Sequence, residues 1–81
     1  VRVIFPGHEY ELEDGTLLKF RRGIPDVGVT TCDLLDVLIH RITVLNKAHT
    51  CGENIATIFA LQDALKHQKA RHARVEREHA S

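Results

Sequence analysis

The stretch Thr50-Cys51-Gly52-Glu53-Asn54-Ile55-Ala56-Thr57-Ile58-Phe59-Ala60-Leu61-Gln62-Asp63-Ala64-Leu65 decides the architecture. Thr50 with Glu53 three residues later reads as a capping box. In that motif the Thr50 hydroxyl accepts from the Glu53 amide and the Glu53 carboxylate reaches back to Thr50. Ile55, Ile58, Phe59, Leu61 and Leu65 then recur at helical spacing, which makes one face apolar. No Gly or Pro falls within residues 53–81, so the spacing predicts a helix over about 51–77. The apolar stripe stops at Leu65, leaving about three polar and basic turns beyond it.

Upstream, Leu34, Leu35, Leu38, Ile39, Ile42 and Leu45 predict another helix over about 31–48. It should start at Thr30 or Thr31 and fray near Asn46–His49. The short connection implies an antiparallel helix pair. Before it, the β-branched Val1–Phe5 ends at Pro6-Gly7, and His8–Leu12 alternates polar with apolar. Asp14-Gly15 marks a hairpin turn, and Thr16–Arg21 returns with Leu18 and Phe20 on one face. The run Gly23-Ile24-Pro25-Asp26-Val27-Gly28 breaks that pattern. The expected fold is therefore α+β, a single domain over 1–81. A small N-terminal antiparallel β-hairpin or sheet, over about 1–22, precedes an antiparallel two-helix hairpin with a long C-terminal helix.

A chain of 81 residues buries only about 60–65% of the surface its unfolded form exposes, so its own core supports it weakly. Association with further copies is the expected remedy. The formal charge is zero, yet it is unevenly spread. Residues 1–63 hold six Lys/Arg and nine Asp/Glu, whereas 64–81 hold five and two. The basic end suits an anion or an acidic partner and is too weakly charged to predict a DNA-binding protein. No leader-like segment or membrane-spanning run is apparent, and two cysteines, Cys32 and Cys51, suggest reduced thiols in a cytoplasmic protein.

Chemistry-bearing motifs are sparse. Six histidines and two cysteines raise the question of a metal, but no Cys-x-x-Cys, His-x-x-x-His or His-Glu-x-x-His occurs. No nucleophile elbow, phosphate-cradling loop or paired carboxylates point to an enzyme. No metal and no cofactor are expected. Cys51 at a helix start is either a reactive thiol or a small packing residue. Asn54 either meets solvent or reads a base edge or ribose hydroxyl. His67, Arg71, Arg74, Val75 and Glu78 share one helix face. Arg71 and Arg74 could fork a phosphate, or the segment could be a solvated face with Arg74 paired to Glu78.

From Gly15 onward the chain resembles a group of small phage proteins, the first type of Thoeris anti-defence sponge. The residues that carry the resemblance are Leu17–Phe20, Gly28-Val29-Thr30, Leu34–Leu45, Cys51-Gly52-Glu53-Asn54-Ile55-Ala56, Leu61-Gln62-Asp63-Ala64-Leu65 and Arg71 onward. The resemblance implies a phage-encoded protein of the host cytoplasm. Its task would be to sequester a cyclic nucleotide immune messenger, such as a cyclised ADP-ribose isomer or a cyclic di- or trinucleotide, without cleaving it. The family site implies ligand contacts at Asn54 and Arg71. Val44 stands at the family's aromatic position, and Val75 at its second Arg position with Arg74 beside it. Asn54 and Arg71 are about 25 Å apart along a straight helix, so one compact ligand would need them from different copies, in a dimer or an assembly of dimers. The alternative is a non-catalytic protein–protein adaptor or inhibitor that docks through its basic helix end.

Overall fold

A computed structural model of the chain describes residues 1–23 and 26–80, the side chain of Ala80 excepted. Ile24 and Pro25, part of the predicted pattern break, lie outside the described residues, as does Ser81. The chain is α+β: three strands, β1 (Arg2–Phe5), β2 (Glu9–Glu11) and β3 (Leu17–Lys19), precede two helices, α1 (Thr31–Ala48) and α2 (Gly52–Ala80). It divides into two compact units, Val1–Thr31 and Cys32–Ser81, which are taken in turn.

In the first unit the strands form one antiparallel sheet in the order β1-β2-β3. Tyr10 sits opposite Leu18 across β2 and β3, and opposite Val3 across β1 and β2. The β2–β3 connection follows from Asp14-Gly15. The Gly15 amide donates to the Leu12 carbonyl at 3.0 Å, the Leu12 amide donates to the Thr16 carbonyl at 2.8 Å, and Gly15 has φ +87°. This is a three-residue loop closed by a left-handed glycine. The Asp14 carboxylate accepts from the Thr16 amide at 3.0 Å. Hydrogen bonding from Thr16, side chain first and then backbone, holds the Asp14 carboxyl below its ordinary value.

Beyond β3, Gly28 and Val29 lie alongside Lys19–Arg21. Val29 donates to the Lys19 carbonyl and accepts from the Arg21 amide, both at 2.9 Å, and forms a parallel bridge with Phe20. Only glycine fits at 28, because a Cβ there would lie 2.7 Å from the Lys19 oxygen and 2.9 Å from the Arg21 nitrogen. Asp26 ties the same region by accepting from the Arg22 amide at 3.1 Å and from Lys19 Nζ at 3.2 Å. Tyr10 meets Phe20 edge-on, and the Arg22 guanidinium lies 4.1 Å above the Phe5 ring, a cation–π contact.

In the second unit, the half-buried positions of α1 include Leu35, Ile39, Ile42 and Asn46. On α2, Asn54, Ile58, Leu61 and Gln68 are half-buried and Leu65 is buried. The two sets mirror one another across the turn, with Leu35 matching Leu65, Ile39 matching Leu61, Ile42 matching Ile58 and Asn46 matching Asn54. That is the burial pattern of an antiparallel helix pair, since such a pair meets at positions equally far from the connection. Helix α2 extends beyond the expected limit of about 77, in keeping with its unbroken run of helix-forming residues. Between residues 69 and 79 Val75 alone is half-buried and the others are exposed.

The predicted capping box does not form as drawn. The Thr50 hydroxyl instead donates to the Asn46 carbonyl at 2.8 Å, and the Cys51 amide donates to Asn46 Oδ1 at 3.1 Å. Cys51 takes the N-cap place, its carbonyl accepting from the Ile55 amide at 3.2 Å. With only three residues between the helices, Thr50 still belongs to the C-terminal turn of α1 and its hydroxyl is taken by that helix. The fraying expected near Asn46–His49 is also absent, since the His49 amide donates to the Leu45 carbonyl at 3.0 Å.

Candidate functional site

Three sets of residues could act on a ligand. The first is the helix connection, which holds Asn46, His49, Thr50, Cys51 and Asn54. Asn54 is half-buried, and its Nδ2 donates to the His49 carbonyl at 3.4 Å. Its amide thus has a contact within the turn, a long one, and retains hydrogen-bonding capacity for a further partner. Asn46 carries more of the connection than the sequence suggested. The available signal was its spacing, one helical turn before Thr50.

Val44 is 50% exposed. It is two residues from Asn46, about 160° away around the α1 axis, so it projects from the face opposite the half-buried stripe. The structure therefore does not gather Val44 and Asn54 on one surface. An aliphatic side chain here also lacks the flat face on which a base stacks.

The second set lies on the basic half of α2. His67, Arg71, Arg74 and Glu78 recur at spacings of four, three and four, so they share a stripe. His67 Nε2 is 3.7 Å from Asp63, His72 Nε2 is 3.0 Å from Glu76, and an Arg74 nitrogen is 3.5 Å from Glu78. These are exposed pairs one turn apart, each contributing little to stability. Among the described residues Arg71 has no hydrogen-bond or ion-pair partner, and it is exposed. Val75 is half-buried and adjoins Arg74 in sequence. The stripe is cationic and open to solvent, with no wall of its own to enclose a ligand. It can attract a phosphate group, and it offers no nucleophile activated by a neighbouring base.

The third set is a hollow on the sheet lined by Ile4, Glu9, Tyr10, Leu17, Leu18 and Lys19. It is largely apolar and has no convergent set of polar groups to orient a small molecule. Among the described residues no group of three or more His, Cys, Asp or Glu side chains is placed to hold a metal ion. Cys32 is half-buried and Cys51 exposed, both as free thiols. No described helix is long and apolar enough to cross a membrane.

The chain is thus a small α+β protein with an open cationic stripe near one end of a long helix. No protein-family model, curated protein or solved structure matches it.

Proposed function

We propose that the chain is a sponge for a cyclic nucleotide messenger, binding it in a homo-oligomer and withholding it without breaking a bond. The observation that carries this reading is the Arg71 guanidinium, exposed and without a partner among the described residues, one turn from Arg74. A guanidinium in this state can give both arms of its fork to a phosphate without first breaking an ion pair. Asn54, about 25 Å away on the same helix, would contact a base or ribose in a site completed by a second copy. The resemblance of Cys51–Ala56 and of the Arg71 region to the phage sponges supports the same assignment. Because sequestration depends on tight, slowly released ligand, affinity is the quantity that matters.

The test is incubation with cyclic dinucleotides, cyclic trinucleotides and cyclised ADP-ribose isomers. The protein is then isolated, heated, and its released ligand chromatographed. The expected outcome is one ligand class retained, thermally stabilising and recovered unchanged. Recovery of every ligand unbound, with no stabilisation, overturns the proposal, and chemically altered ligand makes the protein an enzyme.

A further inference from the structure

We infer that His72 and Glu76 form a two-donor site for a divalent transition-metal ion, copper(II) above all, on the exposed end of α2. His72 Nε2 and Glu76 Oε1 are 3.0 Å apart. Metal–nitrogen and metal–oxygen bonds of about 2.0–2.1 Å at right angles put two donors about 2.9 Å from each other. Tetrahedral bonds of the same length would need about 3.3–3.4 Å. The pair therefore has the bite of a tetragonal ion, the geometry that copper(II) prefers. Asp63 and His67 have the same sequence spacing but are 3.7 Å apart, which would open the angle at the metal to about 130°. Of these two helical pairs, only His72 and Glu76 stand at chelating distance.

The surroundings suit an ion. Both side chains are exposed, at 73% and 68%, so a bound ion keeps water on its remaining positions and is not buried. What it displaces is an exposed pair that contributes little to stability. The helix already holds side chains four residues apart as neighbours, so binding leaves little further freedom to lose. The imidazole would bind through Nε2 with its hydrogen on Nδ1, and the carboxylate would supply a negative charge. Among the described residues no third His, Cys, Asp or Glu joins them, so water completes the coordination. The site lies about 100–160° around α2 from Arg71 and Arg74, apart from the stripe proposed to meet phosphate. Val75 alone is half-buried between residues 69 and 79, so these turns have little packing to hold them helical. A metal bridge from His72 to Glu76 ties one turn to the next, and its binding energy becomes helix stability.

The test titrates the full chain with copper(II) chloride in a non-coordinating buffer at about pH 7.5, where imidazole is ordinarily neutral. Calorimetry follows binding, circular dichroism follows helicity, and paramagnetic broadening of the amide NMR signals locates the ion. The expected outcome is a saturable site whose occupancy raises helicity, with broadening by sub-stoichiometric copper centred on residues 72–76. His72→Gln and Glu76→Gln should each weaken this site by about tenfold or more and remove the gain in helicity. Asp63→Asn should leave both unchanged. Glu76→His, which places a second imidazole at the same spacing, should bind at least as tightly as the wild-type chain. Broadening centred on another histidine or on the N-terminus overturns the inference, as does a titration that either glutamine variant leaves unaltered. Binding without any gain in helicity would mean that one side chain holds the ion rather than two, and overturns it as well.

Discussion

Asn46 Oδ1 accepts the Cys51 amide at 3.1 Å while the Asn46 carbonyl accepts the Thr50 hydroxyl at 2.8 Å, so one residue fastens both sides of the helix connection. Asn46→Ala removes the acceptor for an amide just ahead of α2, where no intrahelical partner exists. The expected loss is about 1–2 kcal/mol in urea unfolding. Asn46→Asp keeps an acceptor and should lose less. Equal losses from the two variants would show that the side-chain oxygen is not what matters at this position.

At Gly28 the backbone has φ +152°, and an added Cβ would lie 2.7 Å from the Lys19 oxygen. Neither atom of that contact can move aside as a flexible side chain would. Gly28→Ala should therefore cost about 1–3 kcal/mol. The cost should appear in the sheet unit, as faster hydrogen exchange at the Arg21 and Val29 amides that donate at 2.9 Å. Unchanged exchange at both amides would contradict the close approach.

Hydrogen bonding by the Arg22 amide, then by Lys19, lowers the Asp26 carboxyl from its ordinary value of 3.8. A depressed carboxyl contributes stability above its unfolded value, and that contribution disappears as the pH falls through the folded value. Carboxyl carbon shifts should thus titrate below pH 3.8, with the Arg22 amide losing protection over the same acid range. Asp26→Asn should abolish that linkage. A titration midpoint at or above the ordinary value would mean that the two hydrogen bonds do not persist in solution.

The helices and the β2–β3 hairpin were legible because local rules determine them. Gly15 supplies the left-handed turn, and the apolar spacing from Leu34 to Leu45 and from Ile55 to Leu65 gives the mirrored burial stripes. Thr50 and Glu53 satisfied the capping-box pattern, yet whether a hydroxyl accepts or donates depends on which helix reaches it first. That decision lies in the three-dimensional turn around Asn46. The Gly28-Val29 strap was likewise hidden, because its partners are Lys19 and Arg21 rather than neighbours in sequence. The stripe from His67 to Glu78 could be read from spacing alone. What spacing could not supply was the contrast between Arg74, which meets Glu78, and Arg71, which has no hydrogen-bond or ion-pair partner among the described residues.

That contrast separates the two arginines experimentally. Arg71→Ala should leave the melting temperature of the ligand-free protein nearly unchanged, because the side chain is exposed and has no hydrogen-bond or ion-pair partner among the described residues. It should weaken binding of the retained nucleotide by about tenfold or more if its guanidinium meets a phosphate. Arg74→Ala should also weaken binding, while additionally removing the 3.5 Å contact with Glu78, a loss of about 0.3–0.5 kcal/mol for an exposed pair of this spacing. Glu78→Gln should act in the opposite direction, strengthening binding by about twofold as it frees Arg74 and removes a nearby negative charge. All three effects on affinity should shrink as salt rises. Calorimetric titration of each variant at two salt concentrations would measure them. Wild-type affinity in Arg71→Ala, or weaker binding in Glu78→Gln, would remove the phosphate from this stripe.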